Sequence, residues 1–352
     1  MMPKAKTVAL VLGSLILAAT ACGGDGAGDG GGWIVGLLER IPDTAESGDF
    51  VTVVDLAAAA AAAGIEIPGP GPSDDAVAAY LMGLPRDALI PDLLRNLVRD
   101  LGALTTELGI DPAAVRAGIM AGRPPENYEV LAGAFDSTMV DQAVRADPLW
   151  SDLLVTGEHG GVTYYSWGED LRSYMDRVSA VRPIGRSGRL ALDGGYLYWV
   201  PWTAGIEGLI DAGAGIVPSL ADDDGLAAVA GILEREEVYS AILTDTALRK
   251  DAVAAASALG VGGGRDEAGA YWVVVAVHAT PEDAEESAVE VGRVLEEGMV
   301  VGLSAPWSDR VAEYDIAVEG TTLVVVLRSN GAEGDWVRAV QVADGLILAA
   351  QE

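Results

Sequence analysis

Apolar positions along this chain recur in three patterns, and each predicts a different element. Continuous apolar runs at Tyr271 to Val277 and Leu323 to Leu327 are strand-length and predict central strands covered on both faces. Spacings of three and four put Ala284, Ala288, Val291 and Leu295 on one stripe, which predicts a helix from Pro281 to Glu297. Two acidic-glycine pairs, Asp193-Gly194 and Glu319-Gly320, each sit between apolar runs and predict hairpins, because glycine reaches the positive φ of a tight turn.

End signals sharpen these boundaries. Thr280-Pro281-Glu282-Asp283 supplies a hydroxyl cap, proline at the first helical position and an acid at the third, and Gly298 closes that helix. Ser219 with Asp222 makes a similar start, and Asp55 caps an alanine run that Gly64 ends. Helical patterns are also read at Ser73 to Met82, Pro91 to Leu101, Asp111 to Met120, Ser137 to Leu154 and Ala247 to Leu259. Gly260 to Gly264 is read as a helix stop and linker.

The hairpin sequences repeat. Leu190 to Val200 aligns with Ile316 to Val326 at a constant offset of 126, matching Ala191 with Ala317, Gly194 with Gly320 and Leu197 with Leu323. Upstream, Tyr128 to Phe135 and Tyr271 to His278 each lead into a helix, and the longer offset of 143 there places an insertion near Trp167 to Gly185. Each hairpin is followed by a helical stretch, Ala204 to Ala212 and Asp335 to Ala350. The predicted fold class is therefore α+β: a largely antiparallel or mixed sheet with packed helices, built from two similar strand-helix-hairpin-helix units. The first unit spans 33–220 with a helical insert at about 65–124, and the second spans 225–352.

The N-terminus follows a different logic. Lys4 and Lys6 precede an apolar stretch from Val8 to Ala19, then Ala19, Thr20 and Ala21 lead to Cys22, the single cysteine of the 352 residues. This arrangement resembles a bacterial lipoprotein precursor, with Ala19 where such lipoboxes usually carry Leu. The resemblance implies a signal peptide at 1–21, a diacylglyceryl group (and commonly palmitate at the new amino terminus) on Cys22, and a cell-membrane anchor on the extracytoplasmic face. Residues 22–32 then form a lipidated, glycine-rich tether. The alternative for the same residues is an ordinary secretory signal cut after Ala21, which leaves a free thiol. With one cysteine, no internal disulfide is available.

Charge narrows the partners. The formal net charge is −31, and it becomes more negative once Lys4 and Lys6 are removed, so nucleic acid is excluded as a partner. Half the chain is hydrophobic, enough for a large core. Catalytic patterns are missing: His159 and His278 lack ligand partners at motif spacing, no Gly-x-Ser-x-Gly elbow occurs, and Lys250 is the only lysine after Lys6. Asp222-Asp223-Asp224 reads as a helix start, since its oxygens lack the alternation of a calcium loop. No cofactor and no metal site is expected.

Aromatic residues offer the one candidate surface. Phenylalanine occurs only twice, against eight tryptophans and ten tyrosines. Along Tyr196 to Trp202, alternation puts Tyr196, Tyr198 and Trp202 on one face and Trp199 on the other. These four are the candidate ligand-binding residues, with the cleft between the two units as the other candidate place; core packing is the competing role. The function so read is a non-catalytic module that binds a small ligand or an envelope protein. A carboxylate-based envelope hydrolase and a structural or assembly factor stand as alternatives.

Overall fold

The computed structural model describes residues 32–95, 100–245, 256–300, 305–330 and 337. Cys22, the signal segment and the tether before Gly32 lie outside the described residues, as does all of the predicted helix Asp335 to Ala350 except Val337.

The first half of the chain contributes β1 (Val51–Asp55), β2 (Val115–Ala121), β3 (Tyr128–Gly133), β4 (Leu154–His159), β5 (Val162–Trp167), β6 (Gly188–Asp193) and β7 (Tyr196–Val200). The second contributes β8 (Ser240–Thr244), β9 (Ala258–Asp266), β10 (Gly269–Val277), a small ribbon of β11 (Met299–Val300) and β12 (Ala305–Pro306), then β13 (Val311–Glu319) and β14 (Thr322–Ser329). Apart from the ribbon, all strands join one 12-stranded sheet in the order β13-β14-β10-β9-β8-β1-β2-β3-β7-β6-β5-β4. Every pairing in it is antiparallel. The fold is α+β.

Outward from the β1–β8 seam the succession is β1-β2-β3-β7-β6 on one side and β8-β9-β10-β14-β13 on the other. Only the first side continues, into β5 and β4. The predicted hairpins close both sides: Asp193 pairs with Tyr196 across Gly194 and Gly195, both at positive φ, and Glu319 pairs with Thr322 next to Gly320.

Helices cover both faces because strand residues alternate between them. On one face α1 (Trp33–Leu38), α7 (Thr203–Gly213) and α8 (Asp224–Arg235) bury Leu37, Ile206 and Val229 against Val53, Tyr198 and Val273. On the other, the first half is covered by α2 (Leu56–Ala63), α3 (Asp74–Gly83), α4 (Asp92–Arg95), α5 (Ala103–Leu108) and α6 (Ser137–Ala146), which pack on Val54, Leu131 and Leu197. There the second half has α9 (Pro281–Glu297), whose Val291 and Leu295 meet Trp272, Val274 and Val325. Each fully buried aliphatic chain contributes about 1.5–3 kcal/mol.

The caps act as the sequence indicated. Asp55 accepts from Ala58 N and Gly64 ends α2 at φ 67°; the Thr280 hydroxyl accepts from Asp283 N. Ser219 and Asp222 form a reciprocal capping box on the short turn before α8, and Asp223 caps α8 itself.

Five helical readings need correction. Asp111 and Pro112 start only a three-residue turn, after which Val115–Ala121 is β2, held between β1 and β3; ladder pairing and burial on both faces override its helical pattern. Gly260 to Gly264 is the middle of β9, not a linker. Glycine is required there by close approach: a Cβ on Gly260 would lie 2.3 Å from Val229 Cγ1, and one on Gly264 2.3 Å from the Tyr271 ring. The helix expected at Ala247 to Leu259 is not present at its described end, since β9 already begins at Ala258; residues 246–255 lie outside the described residues. In Pro91 to Leu101 the described helix is Asp92–Arg95, residues 96–99 lie outside the described residues, and Asp100 and Leu101 are not helical; the helix from Ser137 stops at Ala146 because the Asp147 carboxylate and Pro148 end it, leaving Leu154 to open β4.

Candidate functional site

A cavity lies in the helical insert, at the end of the sheet's first half. Gly64 stops α2, and Pro68, Pro70 and Pro72 then hold the chain extended, because proline fixes φ and cannot extend a helix. Ser73 caps the next helix by accepting from Ala76 N at 3.3 Å. The proline segment is tied back by Asp111: one carboxylate oxygen accepts from Gly71 N at 3.0 Å and the other from Ala113 N at 2.9 Å. Between this segment, the Leu101 to Ile110 stretch containing α5, and the start of α6 lies a groove of about 630 Å³. That is within the range of about 300–1,000 Å³ common for small-molecule sites.

Its walls are mostly apolar. Val77 and Ile110 are buried at its base, Ile67, Leu101 and Phe135 are half-buried along its sides, and Met139 stands 47% exposed at the mouth. Arg116 supplies a cation at the rim, where its Nη1 donates to Ala113 O at 3.1 Å. The rim carboxylates Asp111 and Asp136 accept backbone N–H groups at element starts. The arrangement can hold an apolar body with a polar end and offers no nucleophile beside a base.

The aromatic candidates are not brought together. Tyr198 is fully buried among the residues under α1 and α7, and burial pushes its phenol up to about 12. Tyr196, on the same face, lies under the Arg40 guanidinium, 4.2 Å from the ring centroid. Trp199 points to the opposite face and packs on Trp167 with centroids 6.2 Å apart. Trp202 lines a smaller cavity of about 290 Å³, where its ring meets Tyr128 at 4.9 Å. At the β1–β8 seam, the cleft between the two halves amounts to about 230 Å³, lined by Phe50, Thr52 and Ile242 among others. The groove that sequence reasoning missed is formed by residues distant in the chain; its one local signal was the proline-glycine run at 68–72.

One carboxyl is strongly perturbed. Glu129 on β3 is 1% exposed, and burial pushes it up to about 8 although it accepts Leu93 N–H at 2.9 Å. It faces the core beneath α4, outside the groove, and Asp92 is the carboxylate that adds to its shift. His159 Nε2 lies 2.8 Å from Asp211 Oδ1, tying β4 to α7, and His278 is buried at the end of β10. Among the described residues no group of three or more His, Cys, Asp and Glu is placed to hold a metal, and no helix is long and apolar enough to cross a membrane.

No protein-family model matches the chain, and no curated protein matches it. Among solved structures, crystal form I of TP0453 is similar over 88% of this chain and 97% of that one, with 9% identity and a TM-score of 0.40. Crystal form III of the same protein covers 86% and 96%, with 9% identity and a TM-score of 0.39. At these values the likeness carries no argument about function.

Proposed function

We propose that the protein is a membrane-anchored extracytoplasmic lipoprotein that binds a small, largely apolar ligand in the insert groove and performs no chemistry on it. The observation that carries this reading is the groove itself, an apolar cleft of about 630 Å³ with a single arginine at its rim and no catalytic pairing. The N-terminal run ending at Ala21-Cys22 supports the anchor, and the glycine tract after it suits a flexible spacer.

Phenylnaphthylamine, an uncharged probe that fluoresces in apolar surroundings, tests the groove. It is expected to bind one per chain, and the double variant Phe135→Asp/Met139→Asp is expected to lose binding while keeping its circular-dichroism spectrum. Both positions are at least partly exposed, so the charges load the groove without entering the core. Undiminished binding by the variant refutes the groove. For the anchor, Cys22→Ala is expected to release the protein from the membrane fraction.

A further inference from the structure

Between β5 and β6 the chain leaves the sheet over residues 168–187, a strap longer than most structureless loops of compact domains. Its neck is closed by the Ser173–Arg186 bridge, by Tyr174 N donating to Gly185 O at 2.6 Å and by Ser187 N donating to Arg172 O at 2.8 Å. Positive φ at Gly168, Leu171 and Gly185 concentrates unusual backbone at its two ends, where a hinge would act. The strap turns Arg182 inward, with no side-chain exposure, and leaves Met175, Val178 and Ile184 exposed by 72%, 45% and 51% on its outer side.

Arg182 enters a cage of three tryptophans. Its guanidinium carbon lies 4.8 Å from the Trp150 ring centroid, 4.7 Å from Trp167 and 5.6 Å from Trp199. Nη1 reaches Glu107 Oε2 at 3.2 Å and Asp147 Oδ2 at 3.6 Å. Burial pulls the guanidinium down to about 10 against the pull of both carboxylates, so it stays cationic at neutral pH. Rings and carboxylates in this arrangement recognise a guanidinium by cation–π attraction and charge-assisted hydrogen bonding.

The cage and its occupant belong to different parts of the molecule. Trp167 ends β5, Trp199 lies in β7, Glu107 in α5, and Trp150 and Asp147 follow α6; the strap supplies the cation, together with Ser179, which donates to Glu107 Oε2 at 2.7 Å, and Tyr174, packed edge-on against Trp150. The fit is also incomplete. Arg182 Nε and Nη2 and the indole nitrogens of Trp150 and Trp167 are buried without a hydrogen-bond partner among the described residues. The sheet frame thus presents a whole guanidinium receptor, which Arg182 fills with two of its nitrogens unused.

We propose that this cage is a binding site for a guanidinium group, closed here by the chain's own Arg182, and that the strap yields it to an arginine side chain of a basic partner. The charge of −31 attracts such a partner, and the exposed Met175, Val178 and Ile184 give it apolar contact. The site is separate from the groove ligand, although Glu107 sits on the helix that forms one groove wall. Because the strap must open first, the apparent affinity of the whole protein is the cage's own affinity multiplied by the open fraction.

The test titrates the full chain and its Arg182→Ala variant with N-acetyl-arginine methylamide, with the lysine counterpart as control at equal ionic strength. Tryptophan fluorescence reads binding, and hydrogen exchange reads the strap. Removing the internal occupant is expected to tighten arginine binding by about 10-fold or more, and lysine is expected to bind about 10-fold more weakly than arginine. In the wild-type protein, saturating arginine amide is expected to speed exchange across 168–187 while β6 and β7 stay protected. A short peptide with arginine between apolar residues is expected to bind more tightly than methylguanidinium, and the reverse order overturns the choice of partner. Equal binding by wild type and variant, or arginine no better than lysine, overturns the site. Should Arg182→Ala not fold, Arg182→Lys keeps a cation in the cage and takes the same titration.

Discussion

The two halves of the sheet share a strand succession and differ in what covers them. On the face that α9 covers, the described cover around β10 and β14 is that one amphipathic helix, with Val337 packed beside it, and a ring pair, Trp272 and Trp307, packed edge to face with centroids 6.4 Å apart. Around β3 and β7 the same frame carries five helices, the groove, the strap, the buried cation of Arg182 and the buried carboxyl of Glu129. Among the described residues the ion pairs of the second half lie at the surface, as in Arg328 with Asp266, whose side chains are 35% and 41% exposed. Among the described residues the frame is bare by comparison around β10 and β14 and loaded with extra chain around β3 and β7. The buried ion pair of Arg182 with Asp147 belongs to the loaded half, although the other half also buries polar side chains, Ser287 and His278 among them.

That contrast is broken most severely by removing the buried cation. Arg182→Met leaves Glu107 and Asp147 without their counter-charge and is expected to destabilise by about 3–5 kcal/mol, read by urea denaturation. The parallel change in the bare half, Arg328→Met, removes an exposed pair and is expected to change stability by less than about 1 kcal/mol. Similar losses at the two sites would remove the distinction between the halves.

A second asymmetry is titratable. The Glu129 carboxyl has a folded pKa of about 8, above its unfolded value, so the stability it allows is fully present below pH 4.5 and is lost as pH rises toward 8. Glu129→Gln keeps an acceptor for Leu93 N–H without the charge. It is expected to stabilise by about 2 kcal/mol at pH 7 and to change little at pH 4, by urea denaturation at both values. No gain at pH 7 would mean that the site already accommodates the carboxylate.

The smallest effect tests the bare half alone. Thr280→Ala removes the cap of α9 and is expected to cost about 1 kcal/mol without changing affinity for phenylnaphthylamine in the groove of the other half. A change in that affinity would show that the halves are coupled.

Local signals in the sequence reached far into the fold. Caps at Asp55, Ser219 and Thr280, the two hairpins and the apolar runs of β10 and β14 all depend on neighbours in the chain, so they could be read directly. Where pairing between distant segments decides, reading failed. β2 carries a helical pattern but lies between β1 and β3, and the glycines of β9 make room for Val229 and Tyr271 from other elements. The site was less readable still. Alternation put Tyr196, Tyr198 and Trp202 on one face and Trp199 on the other, and they lie so, but Tyr198 and Trp199 are taken up in packing on opposite sides of the sheet. The groove depends on Asp111 reaching Gly71 across 40 positions, and the cage depends on Arg182 meeting rings from β5 and β7, relations that no spacing rule encodes.

Native mass spectrometry of the full chain, extracted from its own membrane, decides whether the loaded half holds a ligand and whether the protein is tethered. The expected result is a chain acylated at Cys22 carrying one non-covalent small molecule, with that molecule absent from the Phe135→Asp/Met139→Asp variant. An unmodified Cys22 would contradict the anchor. A ligand retained by the groove variant, or no ligand on the wild-type chain, would contradict the groove as its site.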